Sequence, residues 1–306
     1  KVKGVMHACG HDTHTAILLG TAVVLSKIRS QIPGTVKFIF QPAEEGPPEG
    51  EEGGAPLMIK EGALENPKPE AIFGLHVAAM PLGLIGYRSG AMMASGDVLH
   101  IVVKGSQTHG ANPWAGVDPI VIASQIVLGL QTIVSRQTDL TATPAVISIG
   151  VINGGQKFNI IPATVEMTGT IRVFDPKIRK AIHDKVKNTA EMIAKSAGGT
   201  ADVKIREAFA ITYNDPVLTK QMTPTFQRLV GDKAVIPFPQ LTGSEDFSFY
   251  QEKIPGLFFF VGSVPPGGKT IFNHSPFFSP DEKMLLLGVR AMSNVAIDYL
   301  TPKKEK

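Results

Sequence analysis

The sequence predicts an α/β protein, with a mainly parallel sheet that has helices on both faces and a second domain inserted into it. Short apolar runs rich in β-branched and aromatic residues predict strands buried on both faces at residues 35–40, 71–75 and 257–261. From about Gly96 the pattern changes to the order βαββαβ, which is typical of a ferredoxin-like split βαβ unit. Because 306 residues suffice for two domains, we expect 1–95 and 208–306 to form one and 96–207 the other.

The helices are predicted from their start signals. Aspartate followed by proline provides a good N-cap and first helical residue, and this pair begins both helices of the inserted domain, at Asp118 and Asp175. The run Ser279-Pro280-Asp281-Glu282 has the pattern of a capping box and predicts a final helix that ends at Leu300. An apolar helix is also expected over residues 17–28. The strands of the inserted domain are predicted at residues 97–105, 145–152, 164–174 and 201–207.

Composition and charge limit the classes of function. With 43% hydrophobic and 19% charged residues, the chain has the composition of a globular protein. The net charge of +3 is small and the basic residues are scattered, so we expect no nucleic-acid partner. No apolar run reaches the length of a membrane span, so we also expect no membrane association. A single cysteine excludes an intramolecular disulfide and leaves the cellular location undetermined, although a cytoplasmic one is favoured.

The segment His-Ala-Cys-Gly-His-Asp-Thr-His at residues 7–14 has the composition of a metal site. It places the only cysteine, Cys9, beside three of the eight histidines of the chain. A thiolate and imidazoles are ligands that hold borderline-soft cations such as zinc. Cys9 and His11 can converge from a tight turn, and a helix that begins just after them would favour the thiolate. A metal site is therefore predicted in preference to a buried structural cysteine.

Further candidate ligands follow the predicted strands. Glu44 and Glu45 come shortly after residues 35–40, and His76 comes directly after residues 71–75. In open parallel sheets, ligands bind beyond the carboxyl ends of the strands. Neighbouring side chains of an extended chain point in opposite directions, so one glutamate can bind metal while the other faces a bound water. The candidate ligands exceed the four of a structural zinc site, which indicates two metals: Cys9, His11, Glu45, His76 and His274. Spacing alone does not join His274 to the others.

Several motifs together resemble one family of metal-dependent amidohydrolases over nearly the whole chain. That group contains hippurate hydrolases, indole-acetyl-amino-acid hydrolases and bacterial N-acyl-amino-acid aminoacylases, within the aminoacylase and carboxypeptidase G superfamily. The motifs are Met6-His7-Ala8-Cys9-Gly10-His11-Asp12, Gln41-Pro42-Ala43-Glu44-Glu45-Gly46, Phe73-Gly74-Leu75-His76, Gly243-Ser244-Glu245-Asp246-Phe247 and Asn273-His274-Ser275-Pro276.

The resemblance implies a reaction and a site. The reaction would be hydrolysis of the amide of an N-acyl or N-aroyl amino acid, such as a hippurate-like substrate, to a carboxylic acid and a free amino acid. Two divalent ions (zinc, manganese, nickel or cobalt) would be held by the five candidate ligands named above, with Glu44 as general base on a metal-bridged water. Asp12 and His14 would orient the ligands.

The resemblance also implies that the inserted domain is a lid through which a homodimer or higher homo-oligomer forms. His109 would reach a neighbouring active site and stabilise the developing oxyanion, and Asn159 and Arg172 would bind the substrate carboxylate. Taken without the family, Arg172 indicates a salt bridge on a strand face. His100 and His183 are expected to be ordinary surface residues. Because family members carry a long segment before the cysteine motif, we expect that a natural N-terminal part precedes Lys1.

Three other functions stay open at this stage. Cys9 could be a nucleophile with His11 or His14 as its base, but that hypothesis leaves both glutamates and two histidines unexplained. A carboxypeptidase or dipeptidase of the same superfamily would use the same metal ligands. A non-catalytic binding or assembly protein with a vestigial metal site is the alternative from a different class.

Overall fold

The structure, a computed structural model, describes residues 5–48 and 50–301. The α-helices are α1 (His11–Lys27), α2 (Gly54–Lys60), α3 (Pro119–Gln137), α4 (Pro176–Ser196), α5 (Pro216–Val230), α6 (Ser248–Gln251) and α7 (Lys283–Leu300). The strands are β1 (Ile72–Pro81), β2 (Ile85–Tyr87), β3 (Gly90–Met93), β4 (Gly96–Lys104), β5 (Thr108–His109), β6 (Ala145–Gly154), β7 (Ile160–Ile161), β8 (Thr164–Val173), β9 (Thr200–Phe209), β10 (Thr212–Asn214), β11 (Val235–Pro237) and β12 (Gly256–Val264). Short 3-10 helices occur at Arg29–Gln31, Pro113–Ala115 and Asp232–Ala234.

The chain divides into two compact units. Unit 1 consists of Lys1–Met92, Thr212–Gln240 and Asp246–Lys306, and unit 2 of Met93–Ile211 and Leu241–Glu245. No sequence pattern indicated that Leu241–Glu245 belongs with unit 2.

Unit 1 is organised around a four-stranded sheet with the order β1-β12-β2-β11. Two of its three pairings, β1 with β12 and β2 with β11, are parallel, and β12 runs antiparallel to β2. Strand β12 is buried over Gly256–Ser263, as its uninterrupted apolar sequence predicts. The core of the unit joins this strand to apolar side chains of α1, α5 and α7, among them Ile17, Phe226 and Ala291.

Unit 2 contains a four-stranded antiparallel sheet with the order β6-β8-β4-β9. Its main elements follow one another as β4, α3, β6, β8, α4 and β9. Both predicted helix starts are confirmed, because Asp118 accepts hydrogen bonds from the backbone of Ile120 and Val121, and Asp175 from Lys177 and Ile178. The core lies between the sheet and the inner faces of α3 and α4.

By its length and mean hydropathy, helix α3 could cross a membrane. The sequence had led us to expect no segment of that kind. One third of that window is buried, and its buried residues Ile122, Ile126, Leu130 and Ile133 belong to the core of unit 2. The inner face of this helix is therefore part of a core, and a core helix of a folded domain passes the same length and composition test.

Five local predictions were wrong or displaced. Residues 35–40 form no strand, because a strand needs a hydrogen-bonded neighbour and none of the described strands pairs with them. Consequently Glu44 and Glu45 lie in a turn rather than at a strand end. His76 lies within β1 rather than after it, because that strand continues to Pro81. Helix α1 begins at His11 rather than near residue 17. Helix α7 begins at Lys283, where Asp281 accepts a hydrogen bond from the Lys283 backbone, so Ser279 is not its cap.

Candidate metal centre

A glycine at the start of α1 brings Cys9 and His11 to the centre. Gly10 has φ 95°, and a Cβ atom there would lie 2.3 Å from Cγ1 of Val77 on β1. Both the left-handed backbone and the close approach therefore require glycine. The turn makes His11 the first residue of α1 and leaves Cys9 just before it.

His76 reaches the same place from β1. Its Nδ1 lies 2.7 Å from the Val77 carbonyl oxygen, which fixes the proton on Nδ1 because a carbonyl can only accept. Its Nε2 is thereby free to act as a ligand and lies 3.3 Å from the sulfur of Cys9. His14, one turn along α1 from Gly10, accepts a hydrogen bond from the Val77 backbone at 2.9 Å, and its ring packs edge-to-face on the His76 ring with the centroids 4.3 Å apart. His14 thus holds β1 and α1 together beside the centre.

The loop before α7 brings in His274. The backbone N–H of His274 donates to the Ala8 carbonyl at 2.7 Å, and the side chain of Asn273 donates to the Cys9 carbonyl at 2.8 Å. These bonds hold His274 with φ 67°, a strained conformation for a residue other than glycine. Its Nε2 lies 3.1 Å from the Cys9 sulfur and 3.2 Å from Oε1 of Glu45.

The two glutamates complete the cluster. Oε2 of Glu44 lies 3.6 Å from Nε2 of His11, and Oε1 of Glu45 lies 3.9 Å from the same nitrogen. Three overlapping groups each have their ligand atoms within 4.8 Å of one another: Cys9, His11 and His76; Cys9, Glu45 and His274; and His11, Glu44 and Glu45. The overlap of these groups brings all five predicted ligands and the predicted base together.

Burial sets the protonation of the cluster. It lowers the pKa of His11, of His14 and, to about 4, of His76, so these imidazoles are neutral at physiological pH. Burial and then the charge of Glu45 raise the pKa of the Cys9 thiol to about 12. A cysteine nucleophile needs a lowered pKa. Here burial and the charge of Glu45 outweigh any lowering of the pKa by the start of α1. The environment of Cys9 therefore argues against nucleophilic catalysis.

These residues fit a pair of divalent cations. Nε2 of His11 is buried and has no hydrogen-bond partner among the described residues, although it faces both glutamates. Neutral imidazoles, a thiol that a cation can deprotonate, and carboxylates form a donor set suited to borderline-soft ions. Four of them, Cys9, His11, Glu45 and His274, line a cavity of about 270 Å³, whose other walls are Met6, His7 and Ala8.

A buried carboxylate that the sequence did not single out anchors the glutamate loop. Both oxygens of Asp246 accept hydrogen bonds from the Gln41 side chain at 2.7 Å, and Oδ2 also accepts from the Ala55 backbone at 2.7 Å. Gln41 precedes the loop with Glu44 and Glu45, and Ala55 follows it. One side chain therefore closes both ends of that loop. Its place in the Gly243–Phe247 motif was the only signal for it.

The remaining predicted site residues lie elsewhere or contribute differently. Asp12 is exposed in the first turn of α1, where a negative charge stabilises the helix by interacting with the helix dipole. In unit 2, His109 is exposed on β5 and its Nδ1 accepts from the Ala111 backbone at 3.0 Å. The Asn159 carbonyl accepts from the Gly110 backbone at 2.8 Å, so His109 and Asn159 share one local structure. Arg172 is half-buried on β8 and hydrogen-bonds to hydroxyl groups rather than to a carboxylate.

His183 is not an ordinary surface residue. Its Nε2 lies 2.7 Å from Oδ2 of Asp97, whose side chain is fully buried and also pairs with Arg179. Arg179 in turn lies 3.1 Å from Glu207. Burial raises the pKa of Asp97, but the hydrogen bonds from His183 and Arg179 outweigh it and leave that pKa below its usual value. The sequence of α4 showed only an apolar stripe and did not indicate this network.

Comparison with known proteins places this geometry in context. The sequence profile of Peptidase family M20/M25/M40 matches residues 1–298. The chain is 40% identical to thermostable carboxypeptidase 2 of Saccharolobus solfataricus over 98% of its own length and 75% of that protein. It is 38% identical to N-acetylcysteine deacetylase of Bacillus subtilis, over 98% and 76% of the two chains. A crystal structure described as a dinuclear metal-binding peptidase from the M20 family, from Bacillus subtilis, superposes with a TM-score of 0.82 at 36% identity, covering 98% and 75% of the chains.

Proposed function

The chain belongs to Peptidase family M20/M25/M40 and is a hydrolase acting on amide bonds, and we propose that its substrates are N-acyl or N-aroyl amino acids. The products would be a carboxylic acid and a free amino acid. The observation that carries this proposal is the convergence of Cys9, His11, Glu45, His76 and His274, with Glu44 beside them, from four separate segments of unit 1. The name of the deacetylase relative supports an N-acyl amino acid as the substrate class.

We propose that the five ligands hold two divalent ions, of which zinc, manganese, nickel and cobalt all suit the donor set. The relative described as a dinuclear metal-binding peptidase supports two ions per subunit. When bound, such ions lower the pKa of a shared water and polarise an amide carbonyl. His14 and the Val77 backbone keep the His76 ring oriented, and Asn273 keeps the Cys9 backbone in place.

Glu44 would move the proton. Its Oε2 lies 3.6 Å from His11, beside the ligand cluster. During attack on the amide carbonyl, Glu44 would accept a proton from the water and then deliver it to the departing amine nitrogen, which leaves as the free amino acid. Its neighbour Glu45, with Oε1 3.2 Å from His274, would serve as ligand instead.

We also propose that unit 2 is a ferredoxin-like lid and that the protein is a homodimer or larger homo-oligomer through it. Strand β6 lies at the edge of the sheet of unit 2, and its Val151 and Ile152 are about half exposed. On α3, Leu128 is 70% exposed. Apolar side chains beside an open sheet edge support association with another copy. In this arrangement His109 would stabilise the oxyanion, and Asn159 and Arg172 would bind the substrate carboxylate.

A carboxypeptidase is the second candidate, because one relative carries that name. The same metal centre would serve both reactions, so the discrimination lies in the substrate. Comparing kcat/KM for N-acetyl and N-benzoyl amino acids with that for unblocked dipeptides and N-blocked peptides decides between them. A preference of more than tenfold for the peptides would reject the proposed substrate class.

The metal and base are tested with matched variants. We expect elemental analysis to give about two divalent ions per subunit and dialysis against a chelator to abolish hydrolysis of benzoylglycine. Glu44→Gln should retain the metal and lose at least about a hundredfold in kcat, because general base catalysis contributes on that scale. Glu51→Gln changes an exposed glutamate of the same acidic segment and should leave kcat unaltered. Activity that persists after chelation or in Glu44→Gln would contradict the mechanism.

A further inference from the structure

Two neutral hydroxyl groups hold the guanidinium of Arg172 in unit 2. Its Nε donates to Oγ1 of Thr170 at 2.9 Å, and its Nη1 donates to Oγ of Ser244 at 2.5 Å. Thr170 and Arg172 are two residues apart on β8 and therefore project from the same face of the strand. Ser244 belongs to Leu241–Glu245, which is fixed by hydrogen bonds from the Ala94 backbone to the carbonyls of Leu241 and Gly243.

The second arginine of unit 2 with a described network shows the opposite arrangement. Arg179 pairs with the carboxylates of Asp97 and Glu207, which neutralise it. The described hydrogen bonds of Arg172 go instead to the hydroxyls of Thr170 and Ser244. Neutral hydroxyl groups orient a guanidinium without cancelling its charge, so Arg172 can still bind an anionic ligand.

The backbone near Arg172 is adapted to this arrangement. A Cβ atom at Gly96 would lie 2.7 Å from the hydroxyl of Ser244 and 3.0 Å from Nη1 of Arg172. Glycine therefore provides the space that the serine and the guanidinium occupy. The two hydroxyls use two of the five N–H groups of the guanidinium, which leaves donors for a bidentate bond to a carboxylate.

We propose that Thr170 and Ser244 are positioning residues that fix Arg172 for the α-carboxylate of the substrate and so determine the preference for free acids over amides. This inference rests on the proposed function. An arginine side chain has many rotamers, and holding it in one before the substrate arrives removes an entropic cost from binding. Without the hydroxyls Arg172 would retain its charge but lose its fixed geometry.

The experiment compares benzoylglycine with benzoylglycinamide, which differ only in the carboxylate. We expect Ser244→Ala and Thr170→Val each to raise KM for the acid about tenfold, the usual effect of losing a hydrogen bond to a charged group. The change in kcat should be small, and KM for the amide should not change. Ser244→Thr and Thr170→Ser keep a hydroxyl and should restore most of the preference for the acid. Thr168→Val, on the same face of β8, is the matched control and should leave that preference unchanged.

Calorimetry on the inert Glu44→Gln protein measures binding apart from turnover. Dissociation constants for the acid and the amide should converge when Ser244→Ala or Thr170→Val is added, while the unfolding temperature stays near that of the parent. If the variants keep the full acid preference in a protein that hydrolyses N-acyl amino acids, this inference alone is wrong. If the unmodified protein hydrolyses no N-acyl amino acid, the proposed function fails and the inference fails with it.

Discussion

Replacing Asp246 by alanine tests whether one buried carboxylate holds the loop that carries the proposed base and a proposed metal ligand. The carboxylate accepts three hydrogen bonds of 2.7 Å from Gln41 and Ala55, at the two ends of that loop. The Ala55 N–H is buried, so Asp246→Ala leaves it without its partner. The side chain of Gln41 loses its acceptors at the same time.

The magnitude follows from the geometry. A hydrogen bond to a charged group contributes about 1.5–3 kcal/mol, and an unpaired buried N–H costs about 1–3 kcal/mol. Burial raises the pKa of Asp246, which means that its charge is itself partly disfavoured, and removing that charge offsets part of the loss. We therefore expect Asp246→Ala to lower the free energy of unfolding by about 3 kcal/mol. Asp246→Asn should lose less, because the Gln41 amide can rotate to donate to or accept from the new amide.

Urea unfolding followed by circular dichroism gives the free energy, and elemental analysis with steady-state kinetics on benzoylglycine reports the centre. We expect Asp246→Ala to lose metal or at least about tenfold in kcat, since displacement of catalytic groups by about an ångström has effects of this size or larger. Asp202→Asn, at an exposed carboxylate of β9 in unit 2, is the control and should change neither quantity. This role of Asp246 is refuted if Asp246→Ala unfolds at the same urea concentration as the parent and keeps the metal content and kcat of the parent.

Two further predictions concern the glycine at the start of α1 and the buried acid of unit 2. Gly10→Ala should destabilise unit 1 by about 2 kcal/mol or more and lower its metal content, because the left-handed backbone is strained for alanine and its Cβ would overlap Val77. Asp97→Asn should cost about 3 kcal/mol at pH 7, because Arg179 loses its buried counter-charge and the hydrogen bonds to Arg179 and His183 lose a charged partner. The pKa of folded Asp97 lies below its usual 3.8, so its contribution is complete above pH 3.8 and is lost as the pH falls through the lower folded value. Unfolding measured from pH 7 to pH 2 should therefore show less acid sensitivity for Asp97→Asn than for the parent.

Local signals in the sequence were sufficient to predict those helices and strands whose ends depend on a few neighbouring residues. The Asp-Pro pairs at residues 118 and 175 predicted the starts of α3 and α4 because an N-cap acts within one turn. The same pair at Asp215 and Pro216 caps α5, because Asp215 accepts a hydrogen bond from the Leu218 backbone, although we expected no helix there. The apolar run at residues 257–261 predicted β12 because burial on both faces leaves no polar alternation.

Long-range pairing limited what could be predicted. Residues 35–40 have the composition of a strand, yet strand formation depends on a neighbouring strand that local sequence does not specify. The contacts of His274 with Cys9 and of Asp246 with Gln41 join residues 265 and 205 positions apart, so no spacing rule reveals them. The family motifs drew attention to His274 and Asp246, but the hydrogen bonds that hold them are visible only in the folded chain.

The centre is held in place mainly by contacts that do not involve a cation. The Ala8 and Cys9 carbonyls bind the His274 backbone and the Asn273 side chain, and the Val77 backbone binds both His14 and His76. Most of the entropic cost of ordering these side chains is therefore met during folding, so little of it remains when a cation binds. What such a cation still has to offset is electrostatic, because two glutamate carboxylates lie close together in a partly buried cluster and the Cys9 thiol has to lose its proton to become a ligand. The fold thus fixes the positions of the donors, and the charge of bound cations would compensate for the repulsion between the two carboxylates.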